Sequence, residues 1–461
     1  MLASVLDPTS VVAIVLQILI ILSALLLGTR YGGLGLGLIS GIGLMLMVFV
    51  FGLEPGEPPV GVMLTIIAVI GCAATLQQSR GLEVMMQQAE KLLRAHPERI
   101  TILAPLTTWF LTVLCGTGHV VYTMFPIIED IAVKKGIRPE RPMAVASTSA
   151  QMGITASPVS VATVSLASIL AENAGVIDKA YSIPQILMVA IPASLSGVIL
   201  AALWSLRRGK DLDKDPVFQE RMQDPAFAES INQSSHSLLD EVFPRSARNA
   251  VWVFLGAIAF VVVLGAFEGL RPAFDDGEGG MKPLSMNLAI QMVMLFAGAI
   301  ILLFCKVDHK KIASTPVFKA GMTAVFSVFG VAWMADTFFA AHMDQLESSL
   351  GSVVEAAPWA YAIVLLIVSK LVNSQAAALV AIAPIGLALG IDPKVIVGFY
   401  GAAYGYWILP TYPSDLACIG FDRTGTTRIG KFVINHSFLI PGAISVFTSC
   451  VVGSLLAQVL L

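Results

Sequence analysis

Apolar positions in this chain come in runs of about twenty residues separated by short polar segments, the length a helix needs to cross a hydrocarbon core. Runs at about 9 to 28, 32 to 53 and 60 to 78 lead into an amphipathic stretch, Glu83 to His96, too polar to span. A run from Ile100 to Leu114, the turn Cys115-Gly-Thr-Gly-His119 and a second run to Ile131 follow. Each arm is short for a full crossing, which predicts a re-entrant hairpin over about 100–136. The next run, 142–172, is interrupted by Gln151-Met-Gly-Ile-Thr-Ala-Ser-Pro-Val-Ser160 and predicts a broken helix, with Ser157 as N-cap and Pro158 as first residue of the restarted half. A span at about 184 to 206 closes the first half.

The second half repeats that order. Spans fall at about 249 to 267, 285 to 305 and 318 to 341, and an acidic amphipathic stretch runs to about Ala357. A second hairpin, about 358–391, turns at Asn373-Ser374-Gln375, and a last span covers about 432 to 459. Between them, 394–420 is interrupted by Leu409-Pro-Thr-Tyr-Pro-Ser-Asp415. Pro410 and Pro413 each remove a donor and disfavour helix in the residue before, so the helix must unwind and restart, with Pro413 as first residue of its second part. Residues 207–248, with seven basic and eight acidic side chains, read as a connector between repeats 1–206 and 249–461.

Composition agrees: 56% of residues are hydrophobic and 13% charged, against about 25% charged in soluble proteins. Runs of about twenty also exclude an outer-membrane barrel, whose strands alternate over about ten residues. No basic stripe suggests nucleic acid. The N-terminus has no Lys or Arg before Arg30, so its first run reads as a retained span, not a cleaved leader. Cys72, Cys115, Cys305, Cys418 and Cys450 lie in apolar stretches with no metal or disulfide spacing. The glycines from Gly32 to Gly43 read as a helix-packing stripe. Gly425 to Lys431 matches a phosphate loop until Phe432 stands where Ser or Thr is required, so no nucleotide, cofactor or metal is expected, and transport must be secondary.

Charge sets the orientation, because Lys and Arg gather in short cytoplasmic loops. With the N-terminus outside, the cytoplasmic segments hold Arg30, Arg80 to Arg99, Lys134 to Arg141, the connector, Lys306 to Lys319 and Arg423 to Lys431. The opposite segments hold only Lys179, Arg271 and Lys282. Ten spans then place both termini outside, and the two five-span halves have opposite orientation. The expected fold is an all-α polytopic membrane protein with about ten transmembrane helices and two re-entrant hairpins in a 5+5 inverted repeat, the kind that supports alternating access.

Four chain breaks then meet near the bilayer centre, each offering a helix N-terminus with free amides to an anion. The candidate substrate-binding residues are Thr117, His119, Gln151, Thr155, Ser157, Ser160, Asn373, Ser374, Gln375, Thr411 and Ser414, together with Lys370. A pocket with two quasi-equivalent anion-holding ends suits a short substrate with a carboxylate at each end: Thr411 and Ser414 at one, Thr155 and Ser157 at the other. Charge inside a membrane is costly unless paired or hydrated. Lys370 either neutralises a substrate carboxylate or forms a structural ion pair with Asp415, and Asp415 otherwise orients the site or carries a coupling cation. His119 either meets substrate or packs through a hydrogen bond. Glu129, Asp130 and Asp336 are weaker candidates, with solvated or helix-capping roles as the alternative.

Glu90-Lys-Leu-Leu-Arg94, Cys115 to His119, Arg138-Pro-Glu-Arg-Pro142, Gln151 to Ser160, Val372-Asn-Ser-Gln-Ala-Ala377, Ile408 to Asp415, and Gly425 to Lys431 with Asn435-His436 closely resemble the anaerobic C4-dicarboxylate transporter (Dcu) family. Arg208-Gly-Lys-Asp-Leu-Asp-Lys214 places the likeness nearest its DcuB branch, and it runs over essentially the whole chain. The resemblance implies a bacterial inner-membrane antiporter exchanging external fumarate, malate or aspartate for internal succinate during fumarate respiration. It also implies an ion-transporter-superfamily fold, a homodimer in membrane lipid and an elevator-like transport domain. Two other readings stay open: a cation/proton antiporter of the same architecture, and a carrier that doubles as the regulatory partner of a membrane sensor kinase through the connector or the exposed acidic stretches.

Overall fold

A computed structural model describes residues 10–31, 34–172, 181–232, 237–275, 280–430 and 435–461. The first apolar runs form α1 (Val11–Tyr31), α2 (Gly35–Phe49) and α3 (Val60–Gln78), and the amphipathic stretch forms α4 (Gly81–Ala95). Then come α5 (Ile100–Cys115), α6 (Val121–Lys134), α7 (Glu140–Thr155), α8 (Val161–Glu172) and α9 (Ile183–Ser205). The connector carries two short helices, α10 (Pro216–Arg221) and α11 (Pro225–Asn232). The second half holds α12 (Arg245–Ala266), α13 (Met286–Phe304), α14 (Pro316–Ala356), α15 (Ala360–Val372), α16 (Gln375–Ala388), α17 (Pro393–Gly398), α18 (Pro413–Phe421) and α19 (Leu439–Leu460). Among the described residues, eight helical stretches are long and apolar enough to cross a membrane, so the chain is polytopic.

Several elements depart from the pattern read above. The stretch Pro97–Cys115 reaches 19 residues, spanning length by itself, because a 3-10 turn over Pro97–Arg99 extends α5. What reads as a span followed by an acidic amphipathic segment is one 41-residue helix, α14. The loop after α12 carries a two-stranded ribbon, β1 (Ala273–Asp275) paired antiparallel with β2 (Met281–Pro283), a small β element in a chain read as all-α.

Helix packing follows the glycines. A Cβ on Gly37 of α2 would lie 1.9 Å from the Phe326 carbonyl oxygen of α14, and one on Gly330 would lie 2.0 Å from the Gly37 carbonyl oxygen. The two backbones touch there, as small residues permit. Gly32 and Gly33 lie outside the described residues. Helices α1, α2, α3, α13 and α14 pack on one another, while α9 packs on α19, α7 and α5. The five cysteines are buried in this packing. Asp336 of α14 accepts from the Glu57 amide at 2.7 Å, so it holds down the loop between α2 and α3.

Candidate functional site

Four chain breaks converge on one cavity. Two are turns built by the same local device. Gly116, at φ +73°, ends α5, and extended Thr117 follows, its hydroxyl accepting from the His119 amide. Asn373, at φ +49°, ends α15, and extended Ser374 follows, its hydroxyl accepting from the Ala377 amide. A left-handed residue stops each helix, and a hydroxyl cap starts the next. At the start of α16, the Gln375 and Ala376 amides lack intrahelical acceptors, as the first turn of any helix does, and both residues line the cavity.

The other two breaks lie between α7 and α8 and between α17 and α18. The first differs from the expected form. Ser160, not Ser157, caps α8, accepting from the Thr163 amide at 3.1 Å. Ser157 and Pro158 instead form a turn that the Ser160 amide closes on the Ser157 carbonyl at 3.4 Å, since proline suits the second position of a turn as well as a helix start. The second break is longer than the two prolines imply. Helix α17 ends at Gly398, a 3-10 turn covers Tyr400–Ala403, and irregular backbone continues to Tyr412 before α18 starts at Pro413. Ser369 of α15 braces it: its hydroxyl donates to the Ala403 carbonyl and accepts from the Gly405 amide.

The cavity, about 470 Å³, has two unlike walls. One is the set of breaks, contributing Thr117, His119, Asn373, Ser374, Gln375 and Thr411 from the candidate residues, with Tyr406 and Tyr412 besides. The other is largely apolar and comes mainly from α3 and α14, including Val69, Ile70, Ala320 and Ala324. Gln151 stands behind the polar wall. Its side-chain oxygen accepts from the Tyr406 hydroxyl at 2.8 Å, and its carbonyl accepts from Gln375 Nε2 at 2.8 Å. Lys370 Nζ reaches Thr411 Oγ1 at 2.7 Å, Asn373 Oδ1 at 3.1 Å and the Leu409 carbonyl at 3.4 Å. These are neutral acceptors, so its charge is solvated by dipoles at the rim.

The remaining candidates are buried and locally bonded. Thr155 Oγ1 donates to the Met152 carbonyl at 2.8 Å. Ser157 and Ser160 serve the turn and cap just described. Ser147 Oγ donates to Asp415 Oδ1 at 2.8 Å and lies 3.2 Å from Ser414 Oγ. None of the four lines the cavity. Asp415 is 1% exposed, its Oδ2 has no hydrogen-bond partner, and no ion pair joins it to Lys370 within 4 Å among the described residues. His119 is exposed, with Nδ1 2.6 Å from Thr117 Oγ1. Glu129 pairs with Arg423 at 2.5 Å and Asp130 with Arg94 at 3.0 Å. Gly425 to Gly430 lie in a loop organised on Asp422, whose carboxylate accepts from the Thr424 and Thr427 amides; Lys431 is outside the described residues.

Tyr406, Tyr412 and Ser147 were not among the candidates. The Tyr406 and Tyr412 rings are in contact, centroids 4.3 Å apart and tilted by 32°, and the flanking Pro410 and Pro413 are a signal that points to the latter. Nothing in the sequence pattern separates Tyr406 from a packing aromatic or Ser147 from the other small residues of α7.

Membrane-length helices around a cavity walled by broken backbone are the construction of a polytopic membrane transporter, since irregular backbone is tolerated at that depth only where it lines a cavity or is buried in protein. Residues 13–461 match the profile of a family described as anaerobic C4-dicarboxylate membrane transporters, and the chain belongs to that family. It is 55% identical over 442 residues to the anaerobic C4-dicarboxylate transporter DcuB of Escherichia coli O6:H1 (strain CFT073), covering 96% of this chain and 98% of the relative. It is 37% identical over 448 residues to the C4-dicarboxylate transporter DcuA of Wolinella succinogenes, covering 97% and 100%. It is a transporter and not an enzyme. The solved structure of MtrF from Neisseria gonorrhoeae, described with a class of antimetabolite efflux pumps, superposes with a TM-score of 0.59 at 14% identity over 98% of this chain and 96% of that one. That likeness is one of fold.

Proposed function

We propose that this chain exchanges external fumarate, malate or aspartate for internal succinate by elevator-like alternating access. It would do so in a bacterial inner membrane during anaerobic fumarate respiration, with both termini periplasmic. The observation that carries the reading is the cavity with unlike walls: breaks from both halves of the chain form its polar side, and α3 and α14 form most of its largely apolar side. Among the described residues no hydrogen bond joins the breaks to that wall, so a body holding them can slide along it. Its volume of about 470 Å³ suits a small ligand. The matched turns at Gly116-Thr117 and Asn373-Ser374 support a 5+5 inverted repeat in which α5–α6 and α15–α16 are re-entrant hairpins.

In this reading the free amides at the start of α16, with Asn373, Ser374 and Thr411, hold one carboxylate, and Thr117, His119 and the turn after α5 hold the other. Lys370 supplies the countercharge and Asp415 carries the coupling cation or orients α18. Thr155, Ser157, Ser160 and Ser414 shape the backbone at the breaks. In proteoliposomes, internal succinate should accelerate entry of labelled fumarate; entry indifferent to preloading rules out exchange, and ion-gradient dissipation without dicarboxylate supports a cation/proton antiporter instead. Unchanged uptake by Lys370→Ala would remove Lys370 from binding. The connector is held by the carrier itself, through Asp215 to Arg138 at 2.6 Å and Ser237 to Glu90 at 2.7 Å. A sensor kinase would therefore meet a docked surface, not a free arm, and a homodimer in lipid is the proposed assembly.

A further inference from the structure

The far end of α9 carries a second cavity, about 590 Å³, lined by Leu200, Leu203, Trp204, Leu206, Arg207 and Arg208. It is separate from the substrate cavity and shares no residue with it. Leu200, Leu203 and Leu206 are 48%, 46% and 42% exposed, an apolar strip at the last turns of a spanning helix. Trp204 lies in the last turn of α9, and tryptophan rings gather at the ends of spanning helices.

The polar end of this groove is basic and underneutralised. Arg208 lies over the Trp204 ring with Cζ 5.4 Å from its centroid. It is fixed there by Glu140 at 2.8 Å and by the Ser437 carbonyl, which accepts from Nη1 at 2.5 Å. Burial pushes the Arg208 guanidinium below its ordinary value, opposed by Glu140, with the neighbouring Arg138 and Arg428 adding to the fall. Glu140 is already shared with Arg138, and Asp211 is taken by Arg141 at 2.6 Å. Arg207 is exposed and has no ion pair among the described residues.

We propose that this groove binds one anionic phospholipid, its acyl chain along Leu200 and Leu203, its glycerol against Trp204 and its phosphate on Arg207. The charge excludes a zwitterionic lipid as the preferred occupant, and the apolar strip excludes a soluble anion, which would leave the leucines bare. Basic pockets at helix ends on the cytoplasmic side are the usual place for such headgroups, and the orientation proposed above puts this end there. Because α9 packs on α7 and α19, the site sits on the body that carries the chain breaks. A held headgroup would therefore fix that body's depth relative to one leaflet.

The test is fluorescence quenching of Trp204 in vesicles by lipids brominated on the acyl chain, using the full chain and Trp204→Phe as the blank for the other five tryptophans. Brominated phosphatidylglycerol should quench the Trp204 component with about fivefold preference over brominated phosphatidylcholine, the factor one basic side chain gives at an anionic surface. Arg207→Gln should abolish the preference while leaving the basal quenching by either lipid. Equal quenching by both lipids, or a preference unchanged in Arg207→Gln, overturns the proposal. Loss of the preference on adding excess inorganic phosphate also overturns it, by making the site one for soluble anions.

Discussion

Gln375, the first residue of α16, donates through Nε2 to the carbonyl of Gln151 in α7, 224 residues earlier, at 2.8 Å. The same nitrogen lies 3.3 Å from the Tyr406 hydroxyl, which in turn donates to Gln151 Oε1 at 2.8 Å. Three of the four chain breaks are thus tied into one unit by a buried ring of hydrogen bonds. Buried polar networks of this kind specify geometry more than they add stability, and they are costly when half satisfied.

Tyr406→Phe removes the hydroxyl and leaves Gln151 Oε1 without a donor. A buried group left unpaired costs about 1–3 kcal/mol, so the variant should unfold at a lower temperature in detergent while still reaching the membrane. Its uptake should fall further than its folded yield, because the lost bond positions the polar wall. Uptake that falls only in proportion to yield would reduce the ring to a structural brace.

Lys370, partly buried, is bonded to neutral oxygens, and the buried Asp415 is bonded by Ser147 at Oδ1 alone. No ion pair within 4 Å joins them among the described residues, but each lies in the other's field, so Lys370→Ala and Asp415→Asn should couple by no more than about 1 kcal/mol in a double-mutant cycle. A coupling energy well above that would show a working ion pair, and with it a structural role for both.

The positions of the breaks were legible because proline and the Gly-Thr-Gly and Asn-Ser-Gln turns leave local marks that no tertiary contact overrides. The exact restart was less so. Pro158 is compatible with both a helix start and a turn, and only packing of α8 through the Thr163 to Tyr400 hydroxyl contact at 2.9 Å selects Ser160 as the cap. The unwinding at Phe399 to Tyr404 left no proline signal; it is imposed from outside by Ser369 and by the close approach of Gly405, where a Cβ would lie 1.9 Å from the Leu366 carbonyl oxygen. Side-chain partners were least legible. Thr155 and Ser157 look like ligands by type and place, but hydroxyls near a helix end often bond to nearby backbone, and the Ser414 hydroxyl meets Ser147 of α7.

The contact between α2 and α14 gives a prediction with opposite signs at neighbouring sites. Gly37→Ala places a methyl within 1.9 Å of backbone that cannot turn aside, and overpacking of this kind costs about 1–3 kcal/mol. Gly41→Ala, one turn on, meets nothing within 4 Å and should stabilise α2 by up to about 1 kcal/mol through helix propensity. Thermal unfolding of the two purified variants should bracket the wild type. Equal shifts for both would mean that the helices do not touch at Gly37.

At the mouth of the connector, Arg423 clasps Glu129 of α6 in two directions, Nη2 to Oε2 at 2.5 Å and Nε to Oε1 at 3.1 Å, and donates through Nη1 to the Ser230 carbonyl at 2.9 Å. Glu129 is 1% exposed. Arg423→Ala leaves that carboxylate buried and unpaired, a loss of about 3–5 kcal/mol. The double variant Glu129→Gln, Arg423→Gln removes both charges and should recover much of it. The Glu129 carboxylate raises the Arg423 guanidinium above its ordinary value, so the arginine's share of the stability is complete below the unfolded arginine range and fades only as pH climbs through the raised folded value. The deficit of Arg423→Ala should therefore not shrink between neutral and mildly alkaline pH, as thermal unfolding at several pH values would show. A double variant as unstable as Arg423→Ala would instead locate the loss in the Ser230 contact, and with it in the docking of the connector.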